Sequence, residues 1–119
     1  MYLILIIIPM TIVEKFADYL TAIEYPKGKT SWNIAGILKN QNAFYRFDVR
    51  DMFELSSGEM AQKGKTNTKA DKMVLDIENK WVILDIEELL QYIKKYKVKK
   101  IYVNDLIQEL EWTIFLPKN

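Results

Sequence analysis

An α+β domain is the fold this chain predicts: a small mixed sheet of about five or six strands, with a β-hairpin over residues 72–86, packed against two or three helices. Three observations carry that prediction. KMVLDI and WVILDI are β-favouring runs separated by a short polar turn around Glu78, Asn79 and Lys80, which is the pattern of a hairpin. The segment from residue 86 to 96 places Ile86, Leu89, Leu90, Ile93 and Tyr96 at helical spacing, giving one apolar stripe for a core. The chain has 119 residues, 50% hydrophobic and 28% charged, the size and composition of one folded domain spanning residues 1–119.

From the N-terminus, residues 2–8 form an unbroken β-favouring apolar run, expected as a strand covered on both faces. The run is too short to cross a hydrocarbon core of about 30 Å, and Pro9 interrupts it. It also lacks the basic start and small-residue cleavage site of a secretory signal, so an intracellular location without a transmembrane segment is expected. A helix follows: Thr11 and Glu14 have capping-box spacing, and Ile12, Phe16, Tyr19, Leu20 and Ile23 share one helical face. Tyr25-Pro26-Lys27-Gly28 ends it.

Ser31 is placed to cap a second, short helix carrying Ile34, Ile37 and Leu38. In AFYRFDVR, Tyr45, Phe47 and Val49 alternate with Phe44, Arg46 and Asp48, a strand with one mixed face. Residues 51–61 spread their apolar side chains without a clear face. Residues 62–70 are polar and basic without periodicity and read as a loop. Beyond the hairpin and its helix, KKIYV reads as a strand, DLIQELE as a short helix or turn, and WTIFL as a final strand.

Composition excludes several chemistries. The chain contains no Cys and no His, which removes disulfides, thiolate nucleophiles, Cys/His zinc sites and imidazole acid-base chemistry. Carboxylate, lysine, tyrosine and hydroxyl chemistry survive, with oxygen-ligand metals such as Mg²⁺ or Mn²⁺. Two glycine-lysine loops, Gly28-Lys29-Thr30 and Gly64-Lys65-Thr66, suggest phosphate-binding loops. The first glycine of that motif would fall on Ile23 and Glu59 respectively, so neither fits.

Seventeen basic against sixteen acidic side chains leave a net charge of +1, so any polyanion contact must come from local patches. Lys63, Lys65, Lys69 and Lys72 put four charges in ten residues, opposed by Asp71 alone. Lys94, Lys95, Lys97, Lys99 and Lys100 occupy five of seven positions, with Tyr96 and Tyr102 available to stack on bases. Arg46 and Arg50 are the only arginines, and Arg is the better residue for bidentate phosphate or carboxylate recognition. The leading expectation is therefore a small non-enzymatic binding or regulatory domain, free of cofactors, that contacts DNA, RNA or an acidic protein surface. A third class, an oligomerising structural protein, follows from the apolar start and the WTIFL end, either of which could form an intersubunit edge.

The alternative function class is enzymatic and rests on ADKMVLDIENKWVILDIEE. Closure through Ile77 and Trp81 with a three-residue loop sets Asp71 opposite Glu87, and Asp85 shares a side with Glu87. Asp71, Asp85 and Glu87 then form a candidate catalytic cluster for Mg²⁺ or Mn²⁺. A two-residue turn at Asn79-Lys80 would instead move Asp71 to the other face. The arrangement resembles the catalytic hairpin of the PD-(D/E)xK nuclease superfamily across the 17 residues from Asp71 to Glu87. The resemblance implies a divalent-metal-dependent nuclease-like domain, or a descendant that has lost activity. Ala70 stands where the family has proline, and Glu87 where it usually has lysine. The structural alternative is that Asp85, Glu87 and Glu88 cap a helix whose end carries Lys94, Lys95 and Lys97, the charge order favoured by the helix dipole.

Overall fold

The computed structural model describes residues 10–50, 69–77, 79–97 and 103–118. Their elements run α1 (Ile12–Ala17), β1 (Leu20–Glu24), β2 (Ile34–Leu38), β3 (Phe44–Arg50), β4 (Lys72–Ile77), β5 (Lys80–Asp85), α2 (Ile86–Tyr96), α3 (Val103–Glu109) and β6 (Thr113–Pro117). The six strands form one sheet in sequence order, antiparallel throughout except for the parallel pair β3–β4. This is the expected α+β class with a mixed sheet. No described helix is long and apolar enough to cross a membrane. The expected strand at 2–8 and the segment 51–68 lie outside the described residues. So does most of KKIYV, whose last residue, Val103, opens α3.

Two expected helices are built differently. α1 begins as expected: the Thr11 hydroxyl accepts from the Glu14 N–H at 3.1 Å, and the Glu14 carboxylate accepts from the Thr11 N–H. It ends at Ala17, however, and Leu20 opens β1, so Tyr19, Leu20 and Ile23 do not extend the helical face. The reason is β2, which offers β1 a ladder partner through Leu20↔Leu38 and Thr21↔Ile37. The second expected helix is that strand. Ile34–Leu38 is buried at four of its five positions between β1 and β3. A strand covered on both faces carries no alternation, and five apolar residues are too few to distinguish the two periods. Ser31 accordingly caps no helix; its hydroxyl accepts from the Lys69 N–H at 2.5 Å.

Apolar side chains from the sheet feed two cores. On one face Met73, Leu75, Val82 and Leu84 meet Ile86 and Leu89 of α2 and Leu106 of α3. On the other, Phe47, Val74, Trp81 and Ile83 meet Phe16 of α1, with Phe16 edge-on to both Phe47 and Trp81. Around α1 the sheet curls far enough for the Tyr19 hydroxyl, beside β1, to donate to the Pro117 carbonyl on β6 at 3.1 Å. First and last strands are thereby tied across the mouth of the curl.

The β1–β2 pair is unusually close. A Cβ on Gly36 would lie 2.8 Å from the Thr21 carbonyl oxygen, so this strand position accepts only glycine without a shift. β1 is also irregular: its register breaks between Thr21 and Glu24, with Ala22 at φ 54°. Such a break bends an edge strand and makes it a poor template for further pairing.

Candidate functional site

The hairpin is present over the expected residues, but its register is neither of the two weighed from sequence. Ile77 pairs with Lys80, and Lys72 with Asp85. One residue of offset moves every facing pair, since side chains alternate sides along a strand. Asp71 consequently does not face Glu87; it stands just before β4, and the chain has already turned into α2 when it reaches Glu87.

The open end of the hairpin is organised around Lys72, whose residue is only 6% exposed. Its ammonium donates to Asp85 Oδ1 at 2.7 Å and lies 3.6 Å from the Trp112 ring centroid and 4.6 Å from that of Tyr45. Asp85 is the N-cap of α2, its Oδ2 accepting from the Glu88 N–H at 3.1 Å. Glu88 in turn accepts from the Glu111 and Trp112 N–H groups, both at 3.0 Å. That clamp sets Trp112 over the ammonium and closes a circuit: Lys72 neutralises Asp85, Asp85 starts α2, and α2 holds the lid of Lys72. Burying a cation is costly unless it is paired and hydrogen-bonded, and the two rings add cation–π attraction.

Asp71, Asp85 and Glu87 do border one cleft of about 310 Å³, together with Tyr45 and Lys72. Asp71 and Asp85 are engaged within the protein. Asp71 Oδ2 accepts from the Arg46 N–H at 2.9 Å, and both Asp85 oxygens are used by Lys72 and Glu88. The Lys72 ammonium is already the cation held by Asp85. Among the described residues no group of three or more carboxylates is placed to hold a metal ion. The residues at this end therefore do not fit a divalent cation.

The basic candidates are dispersed. Lys63, Lys65, Lys99 and Lys100 lie outside the described residues. Lys69 is exposed, two residues before the Asp71 carbonyl that accepts from the first N–H of α2. Lys94, Lys95 and Lys97 are exposed at the other end of that 11-residue helix, a separation of about 16 Å along its axis. Arg46 lies 5.9 Å from the Trp32 ring centroid, and Arg50 pairs with Asp48 at 3.0 Å on the same strand. Lys95 shares a cleft of about 290 Å³ with Glu88, Tyr92, Tyr96 and Glu109, and Tyr96 donates to Glu109 at 3.2 Å. Partial burial, followed by the charges of Asp105 and Glu109 and the neighbouring Tyr96, raises the Tyr92 phenol above the ordinary tyrosine value.

A different cluster, not singled out by the sequence, lies at the mouth of the curl. Lys15 of α1, Lys39 after β2 and Lys118 after β6 converge with Asp18, Tyr19, Asp76 and Trp81 around a cleft of about 520 Å³. Lys118 pairs with Asp76 and lies 4.8 Å from the Trp81 ring centroid. Lys15 and Lys39 are exposed and make no ion pair among the described residues. Trp81 is 2% exposed, and its indole N–H has no acceptor among the described residues. A buried donor left unmatched costs about 1–3 kcal/mol. Only the curl brings residues 15, 39, 81 and 118 together, so no spacing in the sequence announces the cluster.

The chain matches no family model, no curated protein and no solved structure. The functional reading accordingly rests on the geometry above.

Proposed function

We propose that the chain is a small non-enzymatic binding domain whose partner is an acidic protein surface, engaged by the C-terminal turn of α2. The observation that carries this reading is Tyr96, 45% exposed between the exposed Lys94 and Lys97. Lys97 ends the helix in the left-handed conformation at φ 50°. An exposed tyrosine amid cations suits a protein interface, where aromatic anchors supply contact area and surrounding charges steer the encounter. Glu109 accepts from the Tyr96 hydroxyl at 3.2 Å and so fixes the ring for such a contact. The commitment of Asp71, Asp85 and Glu88 to structural bonds supports binding over catalysis.

The test is a titration of the full chain with poly-glutamate and with labelled DNA and RNA at several salt concentrations. Poly-glutamate should bind more tightly than either nucleic acid at equal salt, and K94E/K97E should abolish that binding without changing the melting temperature. Tighter binding of nucleic acid, or poly-glutamate affinity unchanged in K94E/K97E, overturns the proposal.

A further inference from the structure

We infer that the cleft at the mouth of the curled sheet binds a small organic oxyanion, its phosphate or carboxylate held between Lys15 and Lys39 with Trp81 as the buried donor. This goes beyond the α2 reading and uses none of its residues. The cations come from three elements far apart in sequence, so their convergence is a product of the fold rather than of a local run of lysines. Asp76 is matched by Lys118. Among the described lining residues that leaves Lys15 and Lys39 against Asp18, an excess of positive charge. Trp81 also lines the cleft, and its indole N–H is a donor without an acceptor among the described residues.

An anion with acceptor oxygens answers both the charge and the orphaned donor. Lysine acts as a point charge toward either phosphate or carboxylate, so the cleft selects the charge class and not a planar, forked geometry. Ring stacking is not the means of recognition, because the Lys118 ammonium already lies against the Trp81 ring. The volume, about 520 Å³, falls within the range of small-molecule sites. A molecule larger than a bare ion is therefore accommodated.

The experiment titrates the ¹⁵N-labelled full chain with inorganic pyrophosphate, with citrate and with glucose as a neutral control, following the indole N–H signals of the three tryptophans. W32F and W112F identify the Trp81 signal by elimination, so the assignment does not require changing the buried residue. Pyrophosphate or citrate should shift the Trp81 signal saturably, and the tighter of the two assigns phosphate or carboxylate. K15A/K39A should weaken that binding by roughly ten-fold or more, whereas K94E/K97E should leave it unchanged. Both mouth lysines are exposed, and an unchanged melting temperature verifies the fold of the variant. Absence of a saturable shift with either anion, an equal shift with glucose, or undiminished affinity in K15A/K39A would falsify the site.

Discussion

The two ends of the β4–β5 hairpin use the same ingredients to opposite effect. Each has a lysine paired with an aspartate beside an aromatic ring: Lys72, Asp85 and Trp112 at the open end, Lys118, Asp76 and Trp81 at the turn end. At the open end Lys72, Asp85 and Glu88 each have a named partner, and Glu88 fastens the tryptophan in place. At the turn end the ion pair lies beside a cleft, and among the described residues two further lysines stand unpaired and an indole N–H lacks an acceptor. Saturation of polar groups marks architecture; a surplus of donors marks capacity for a ligand.

The strongest way to break this contrast is Asp85→Ala. It leaves the Lys72 ammonium buried and uncompensated and removes the cap of α2, so a loss of about 3–5 kcal/mol is expected in urea unfolding. Asp85→Asn keeps a competent cap and should be milder than Asp85→Ala by about 1 kcal/mol. The double replacement K72M/D85N should recover much of the loss, because a buried pair exchanged for apolar packing is often nearly neutral. No recovery would show that the ammonium contributes beyond its pairing with Asp85.

The mouth can be attacked through the sheet beneath it. Gly36→Ala drives a methyl group against the Thr21 carbonyl and the Leu20 side chain, with an expected cost of about 1–3 kcal/mol. Because it displaces β1, which Tyr19 immediately precedes, its amide shifts should spread to residues 19–21, a pattern ¹⁵N spectra report. The smallest effect belongs to Lys118→Ala. Its pair with Asp76 is partly solvated, so a change of about 1 kcal/mol or less is expected, well below that of Asp85→Ala. Equal losses at the two ends would remove the distinction drawn between them.

Legibility followed the physics of each element. α2 was readable in full, because eleven residues hold three turns of apolar spacing and Asp85 marks the start. β2 was not, since a doubly buried run of five has no period to read. α1 was overextended because Tyr19, Leu20 and Ile23 continue its spacing by coincidence. The hairpin was recognisable, yet its register depends on the length of a turn that strand patterns alone do not fix. That single residue separated a three-carboxylate cluster from a Lys72–Asp85 pair. Lys72 itself reads as surface by type. The signal that could have found it is the unbroken apolar run Met73-Val74-Leu75 beside it, which implies that both faces of β4 are covered, its first residue included.

The parallel seam between β3 and β4 has a kinetic consequence. It divides the sheet into two antiparallel triplets, β1–β2–β3 and β4–β5–β6, each closed by pairing between successive strands. The seam needs a crossover from Arg50 to Lys72, with its chain entropy lost before any ladder bond forms. We expect the triplets to assemble first and their docking to limit the refolding rate, with Asp71, bonded to Arg46 through both N–H and carboxylate, as the stitch. Gly36→Ala, inside a triplet already assembled when docking occurs, should then slow refolding in stopped-flow fluorescence with little effect on unfolding, whereas Asp71→Ala, at the docking seam itself, should divide its effect between the two rates.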